Sequence, residues 1–191
     1  MHNAKDRIMV FIDGSNLYHL LKSHFGRTNI DLEKFALRLG EHGKLIRVYY
    51  YNAIVSKKHE PERFYDQLSF YRSVEAIPYF EMRLGHLIYN GWPHSRPYEK
   101  GTDVMLATDM VAHAFRHNFD TAILVASDND YVGALQVVKD VGKNIEVVLV
   151  GTDDHTSSLP LRKSADDIII ADEEYLRGCW QESIDEQRTN I

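Results

Sequence analysis

The chain has 191 residues, 44% of them hydrophobic and 26% charged, with a formal net charge of −6. That composition is ordinary for a globular protein, and its acidic balance argues against a broadly basic nucleic-acid-coating protein while leaving room for a local basic groove. Cys179 is the only cysteine, which excludes an intrachain disulfide framework and a Cys-rich zinc site.

The opening M-H-N-A-K-D-R carries no apolar signal segment, and no run is long enough to span a membrane. A cytoplasmic location is therefore expected. Residues 8–12 form an unbroken apolar run of strand length, ending on Asp13. Gly14 allows a tight turn and Ser15 is positioned to cap a helix over residues 15 to 25, stopped by Gly26. Asp31 caps a second helix, 32–39, which Gly40 and Gly43 stop. Residues 44–55 are rich in β-branched and aromatic side chains and read as the second strand. Pro61 suits the first turn of a third helix with a Phe64, Leu68, Tyr71, Val74 stripe. Residues 77–84, with an extension over 87–89, give a third strand. A Pro- and Gly-punctuated loop follows over 90–100. A helix over 102–117 leads to a fourth strand, 122–126, which ends in S-D-N-D. A helix over 131–141, a strand over 145–150, a polar loop over 151–158, a short strand over 168–170 and a last helix over 173–187 complete the chain.

No repeat, low-complexity tract or linker interrupts this order, so residues 1–191 are expected to form a single domain. Alternating strands and helices predict an α/β fold, a doubly wound, mostly parallel sheet with helices on both faces. Strand carboxyl ends then share one edge, where such sheets keep their ligand sites. Asp13 follows the first strand, and Asp128 and Asp130 follow the fourth; if these strands are neighbours, the acids face one crevice. Asp103 reaches the same edge only if folding brings it there.

Two carboxylates 5 Å apart at an effective dielectric near 20 repel by roughly 3 kcal/mol. A cluster of Asp13, Asp103, Asp128 and Asp130 therefore calls for a cation or shared protons. All-oxygen donors favour Mg²⁺ or Mn²⁺, which activates water and steadies charge on a phosphate under attack. Asp13 and Asp128 are the principal ligands on this reading. Asp103 and Asp130 bind a second ion or hold metal-bound waters, and Asn16 orients a carboxylate or meets a phosphate oxygen. The plainer alternatives are that Asp128 or Asp130 caps the next helix, that Asp13 is a turn residue, and that Asp103 answers the helix dipole. Asp109 lies about 240° around the helix from Asp103 and ranks as a supporting candidate only.

F-I-D-G-S-N-L-Y (Phe11–Tyr18), K-G-T-D-V-M-L-A-T-D-M (Lys100–Met110) and L-V-A-S-D-N-D-Y (Leu124–Tyr131) together resemble the NYN domain, LabA-like branch, of the PIN-like nucleases. S-L-P-L-R-K-S-A-D (Ser158–Asp166) is similar to that branch's tail. The resemblance implies a PIN-like α/β fold and metal-dependent RNA cleavage. Asp13, Asp103 and Asp128 match the acidic metal positions, and Asp130 and Asn16 match neighbouring polar ones. The sequence departs from the pattern at A-S-D-N-D-Y, where the branch often has S-G-D-G-D-F. Ser127 and Asn129 replace small glycines, which bears on how closely a phosphate approaches that backbone.

An RNA substrate, single-stranded or looped, would be met by local basic and aromatic groups. Lys57 and Lys58 follow the second strand, and Trp92, Arg96 and Lys100 lie in the loop before Asp103. Ser127 joins them as a substrate-contact candidate. The alternatives are that Lys57 and Lys58 sit on a solvated turn and that Trp92 packs its loop onto the body. His113 and His117 have metal-capable spacing but read as a surface pair, and Cys179 beside Trp180 reads as packing. The family's habits and several exposed-looking aromatics suggest a homodimer. Two other classes compete with a ribonuclease. One is a catalytically silent RNA-binding or regulatory module. The other is a phosphatase, which D-G-S-N disfavours for lack of a D-x-D arrangement. Neither nucleotide-binding glycine motif occurs.

Overall fold

The computed structural model describes residues 6–151 and 159–181. Strand β1 (Arg7–Asp13) runs into helix α1 (Gly14–Phe25), followed by α2 (Leu32–Leu39) and β2 (Lys44–Ile54). Helix α3 (Pro61–Glu75), β3 (Phe80–Ile88), β4 (Tyr98–Lys100) and α4 (Thr102–Phe115) come next. After β5 (Thr121–Val125) a short 3-10 turn, Asn129–Tyr131, opens α5 (Val132–Asp140). Strand β6 (Asn144–Val150), α6 (Leu159–Ser164) and β7 (Asp167–Ala171) follow.

The sheet has the order β4-β3-β2-β1-β5-β6-β7. All neighbours run parallel except β3 and β4, so the sheet is mixed and mostly parallel. The run 8–12 is buried to the last residue, because it lies in the middle of the sheet with both faces covered. Its side chains alternate between two apolar clusters. Ile8, Val10 and Ile12 join Leu17 and Leu21 of α1 and Phe35 of α2. Met9 and Phe11 join Leu106 and Met110 of α4 and Leu135 of α5. Tyr49, Tyr50 and Tyr51 are all buried, Tyr50 in the first cluster and the other two in the second.

The order places β1 directly beside β5, with Ile12 opposite Val125. The chain leaves β1 toward β2 and β3 and returns on its other side through β5 and β6. That reversal is a topological switch point, and a crevice opens there at the carboxyl ends of the strands.

Four expectations need correction. The cap of α1 is Asp13 itself, whose carboxylate accepts from the Asn16 backbone N–H at 2.9 Å, and not Ser15. The loop over 90–100 ends in a strand: Tyr98–Lys100 pairs antiparallel with β3, Glu99 opposite Leu87. Three residues between Pro97 and Gly101 are too few to show a period. The last helix does not form in its described part. One turn closes with the Leu176 N–H donating to Asp172 C=O, and Gly178 then adopts φ 84°. Trp180 instead pairs with Ile30, its ring under the Arg27 guanidinium at 3.8 Å. His113 is half-buried against Phe11 and Tyr49 rather than on the surface, and His117 lies beyond the helix at φ 52°. Of the loop expected over 151–158 only Gly151 lies within the described residues, and Ser158 of the tail motif lies outside them. Among the described residues no helix is long and apolar enough to cross a membrane.

Candidate functional site

The crevice between β1 and β5 holds a cavity of about 310 Å³, lined by Asp13, Ser15, Asn16, His19, Glu99, Asp103 and Asp128. Each arrives by a separate local device. Asp13 is the last residue of β1 and stays at the strand edge because α1 begins on its own carboxylate. Asp128 stands three residues past Val125 and caps the 3-10 turn, accepting from the Asp130 N–H at 3.0 Å. Glu99 comes from β4. Gly101 at φ 82° then turns the chain so that Asp103 falls in the first turn of α4. Capping and cavity-lining thus coincide at Asp13 and Asp128, and the two readings of those acids do not compete.

The two sides of the crevice are tied together. Asn16 Oδ1 accepts from both the Ser127 backbone N–H and the Ser127 hydroxyl, each at 3.2 Å. A backbone N–H can only donate, which fixes the amide oxygen toward Ser127 and leaves the Asn16 Nδ2 donors for the cavity. Tyr131, 1% exposed, donates its hydroxyl to Asp13 Oδ2 at 2.9 Å.

Among the described residues no lysine or arginine lines the cavity. Burial holds the Asp13 carboxyl above its ordinary range and Asp128 adds to the rise, while hydrogen bonds from Asn16 and Tyr131 oppose it. The Glu99 carboxyl is raised too, mainly by burial, with Asp13 and Asp103 adding and the Ser15 and Thr102 hydroxyls opposing. The Tyr131 phenol is pushed far up by burial and then by Asp13, with Asp103 and Asp128 contributing. Three aspartates thus act on one hydroxyl.

Four carboxylates, with one imidazole and no lysine or arginine beside them, fit a hard divalent ion. Among the described residues no three His, Cys, Asp or Glu groups stand where they could hold one ion jointly. Mg²⁺ suits such a place, since it keeps several waters and takes only one or two protein carboxylates.

The sheet edge therefore brings together Asp13, Asn16, Asp103 and Asp128, with Ser127 holding Asn16. Asp130 does not line the cavity; it is exposed on the turn that Asp128 caps. Asp109 accepts from the Tyr51 hydroxyl at 3.0 Å and faces the Arg83 guanidinium at 3.4 Å, away from the cavity lining. Lys57, Lys58, Trp92, Arg96 and Lys100 also lie outside the lining. Lys57 Nζ sits 5.0 Å from the Tyr65 ring. Trp92 meets Tyr89 edge-on at 5.5 Å, and Tyr89 stacks on His59 at 4.3 Å, so Trp92 packs its loop while staying 37% exposed. Sequence reasoning missed Glu99, His19 and Tyr131. His19 follows Asn16 by one helical turn, and Tyr131 ends the motif around Asp128; both signals were within reach. Glu99 depends on the unforeseen strand.

A mostly parallel sheet with an acidic crevice at its switch point is consistent with a PIN-like fold. The NYN domain family, part of that superfamily, matches residues 7–173, and the chain belongs to it. A comparison with curated proteins found no match. Among solved structures, the chain is similar to a Vibrio parahaemolyticus protein of unknown function, with 18% identity and a TM-score of 0.69. The likeness covers 91% of this chain and 98% of that one, and it shows the shared fold.

Proposed function

We propose that the chain is a divalent-metal-dependent ribonuclease of the LabA-like branch, a single-domain cytoplasmic hydrolase of RNA phosphodiester bonds. The observation that carries this reading is the meeting of Asp13, Asp103 and Asp128, with Glu99, around one cavity that no described lysine or arginine lines. Asp13 and Asp128 would hold Mg²⁺ or Mn²⁺, with Asp103 holding a second ion or a metal-bound water, so that no ion takes more than two protein carboxylates. The ion, when bound, would supply activation of a water and neutralisation of charge on the attacked phosphate. Glu99 lines the same cavity, where burial first and then the charges of Asp13 and Asp103 raise its carboxyl. Asn16 turns its Nδ2 donors toward a phosphate oxygen while Ser127 fixes its plane. Tyr131 orients Asp13, and its hydrogen bond favours the ionised carboxylate against the effect of burial. Asp130, exposed beside Asp128, is an outer contact for the strand.

The substrate is single-stranded or looped RNA. Lys57, Lys58, Arg96 and Lys100 are the phosphate contacts of its flanking nucleotides, and Trp92 offers a ring for stacking. The test is cleavage of a mixed-sequence RNA by the purified chain with Mn²⁺ or Mg²⁺, with and without chelator, and with Asp13→Asn. Metal-dependent cutting that the variant loses supports the reading; equal cutting by a folded variant overturns it.

One observation favours a second reading, a catalytically silent RNA-binding module. Both Asp13 carboxylate oxygens already accept hydrogen bonds, and no three ligand groups among the described residues are placed to hold one ion. This reading expects RNA binding with no cutting under either metal.

A further inference from the structure

We propose that a second, larger cavity beside the acid site is a nucleobase pocket, seating one base of an RNA strand whose adjoining phosphate lies at the Asp13–Asp128 cavity. The phosphate half of this inference rests on the ribonuclease reading; the base half stands on its own geometry.

The cavity lies between α1 and α3 and measures about 530 Å³. Pockets of roughly 300–1,000 Å³ hold small organic ligands. Ser15 and His19 line both cavities, so the two adjoin. A nucleotide has the same layout, a phosphate and a base separated by one sugar. The walls are aromatic. Tyr18 and Phe70 are 45% and 43% exposed, and Phe70 meets the buried Tyr50 ring edge-on at 6.1 Å. Exposed rings facing a concave surface are stacking platforms for bases.

The polar groups point the same way. Gln67 Oε1 accepts from the Val55 N–H and Asn52 Oδ1 from the Ala53 N–H, each at 2.8 Å. Both donors are backbone amides, so the side-chain oxygens are held there; the Gln67 NH₂ remains as a donor, while Asn52 also bonds the Tyr50 hydroxyl. Donors of this kind suit the acceptor edge of a base, its carbonyl oxygens and ring nitrogens. Arg63 and Asp66 add one cation and one anion to the lining, and Glu60 already pairs with Arg63 at 2.9 Å. A lining balanced in this way suits a neutral base and not a second phosphate.

The test is equilibrium binding of the four nucleoside 5′-monophosphates to the full chain in chelator, read by calorimetry, for wild type, Gln67→Glu and Phe70→Ala. Gln67→Glu keeps the acceptor for Val55 and removes the donors. The expected result is binding by the wild type and about tenfold or greater weakening in each variant, which for Phe70→Ala is the size of one lost stack, with both variants still folded. Absence of nucleotide binding at millimolar concentration overturns the pocket, as does equal affinity in both folded variants. The two readings fail separately. RNA cut with Mn²⁺ alongside no nucleotide binding keeps the nuclease and removes the pocket. Nucleotide binding that the variants lose, alongside no cutting, keeps the base pocket and removes the nuclease.

Discussion

Tyr131 and Asp13 lie 118 residues apart in sequence, yet the tyrosine hydroxyl donates to the aspartate carboxylate at 2.9 Å. That bond joins the turn after β5 to the end of β1. Removing it with Tyr131→Phe takes away an influence that lowers the Asp13 carboxyl. The acid limb of the cleavage pH profile should move to higher pH, and activity at neutral pH should fall roughly 10–100-fold, as for other groups that support a metal ligand. A pH–rate profile of both proteins checks this.

Asp13→Asn should remove cleavage by more than about 100-fold, beyond the roughly 10–100-fold lost with supporting groups. The fold should survive, because asparagine caps a helix about as well as aspartate. RNA cleavage with Mn²⁺ and a thermal melt on the same preparation test both halves.

The pH dependence of stability has a definite sign. Asp13 and Glu99 bind protons more readily folded than unfolded, since burial raises both. Their contribution to stability is therefore greatest at low pH and is lost as pH rises through their raised folded values. Asp120 is opposite: hydrogen bonds from Arg7 hold its carboxyl well below the usual range. Its contribution is present above the ordinary carboxyl range and is lost as pH falls through the folded value. Asp13→Asn should thus raise the denaturation midpoint at neutral pH relative to acid, while Asp120→Asn should lower it.

A divalent ion should reverse the penalty at the acid cavity. At about 100 times its dissociation constant an ion adds roughly 2.7 kcal/mol. For a chain of this size that lifts Tm by about 5–10 °C. Thermal melts with Mn²⁺ should show the rise at neutral pH, and little of it in Asp13→Asn.

Gly14 has no room for a side chain. A Cβ there would sit 2.4 Å from the ring of Tyr50, which is 4% exposed. Gly14→Ala should cost about 1–3 kcal/mol, measurable by urea denaturation, because the buried ring must shift.

Much of this molecule was written locally. The run 8–12 between polar ends had to be a buried strand, Asp31 had to cap the helix it precedes, and Pro61 had to open α3. The acids Asp13 and Asp128 were legible as strand-end residues, since each follows an apolar run by a few residues. Local pattern could not say that β1 and β5 are neighbours. Their pairing across more than 100 residues is chosen by burial on both faces of the sheet. Nor could it find Glu99, which belongs to a three-residue strand that exists only through its partner β3, or tell that Asp109 would turn to Tyr51 and Arg83. Sequence by itself determined most strands and helices and the candidate acids at their ends, because period and capping act within a few residues. Tertiary structure alone decided which acids share a cavity and which hydroxyls and amides hold them, because those contacts are made between strand ends far apart along the chain.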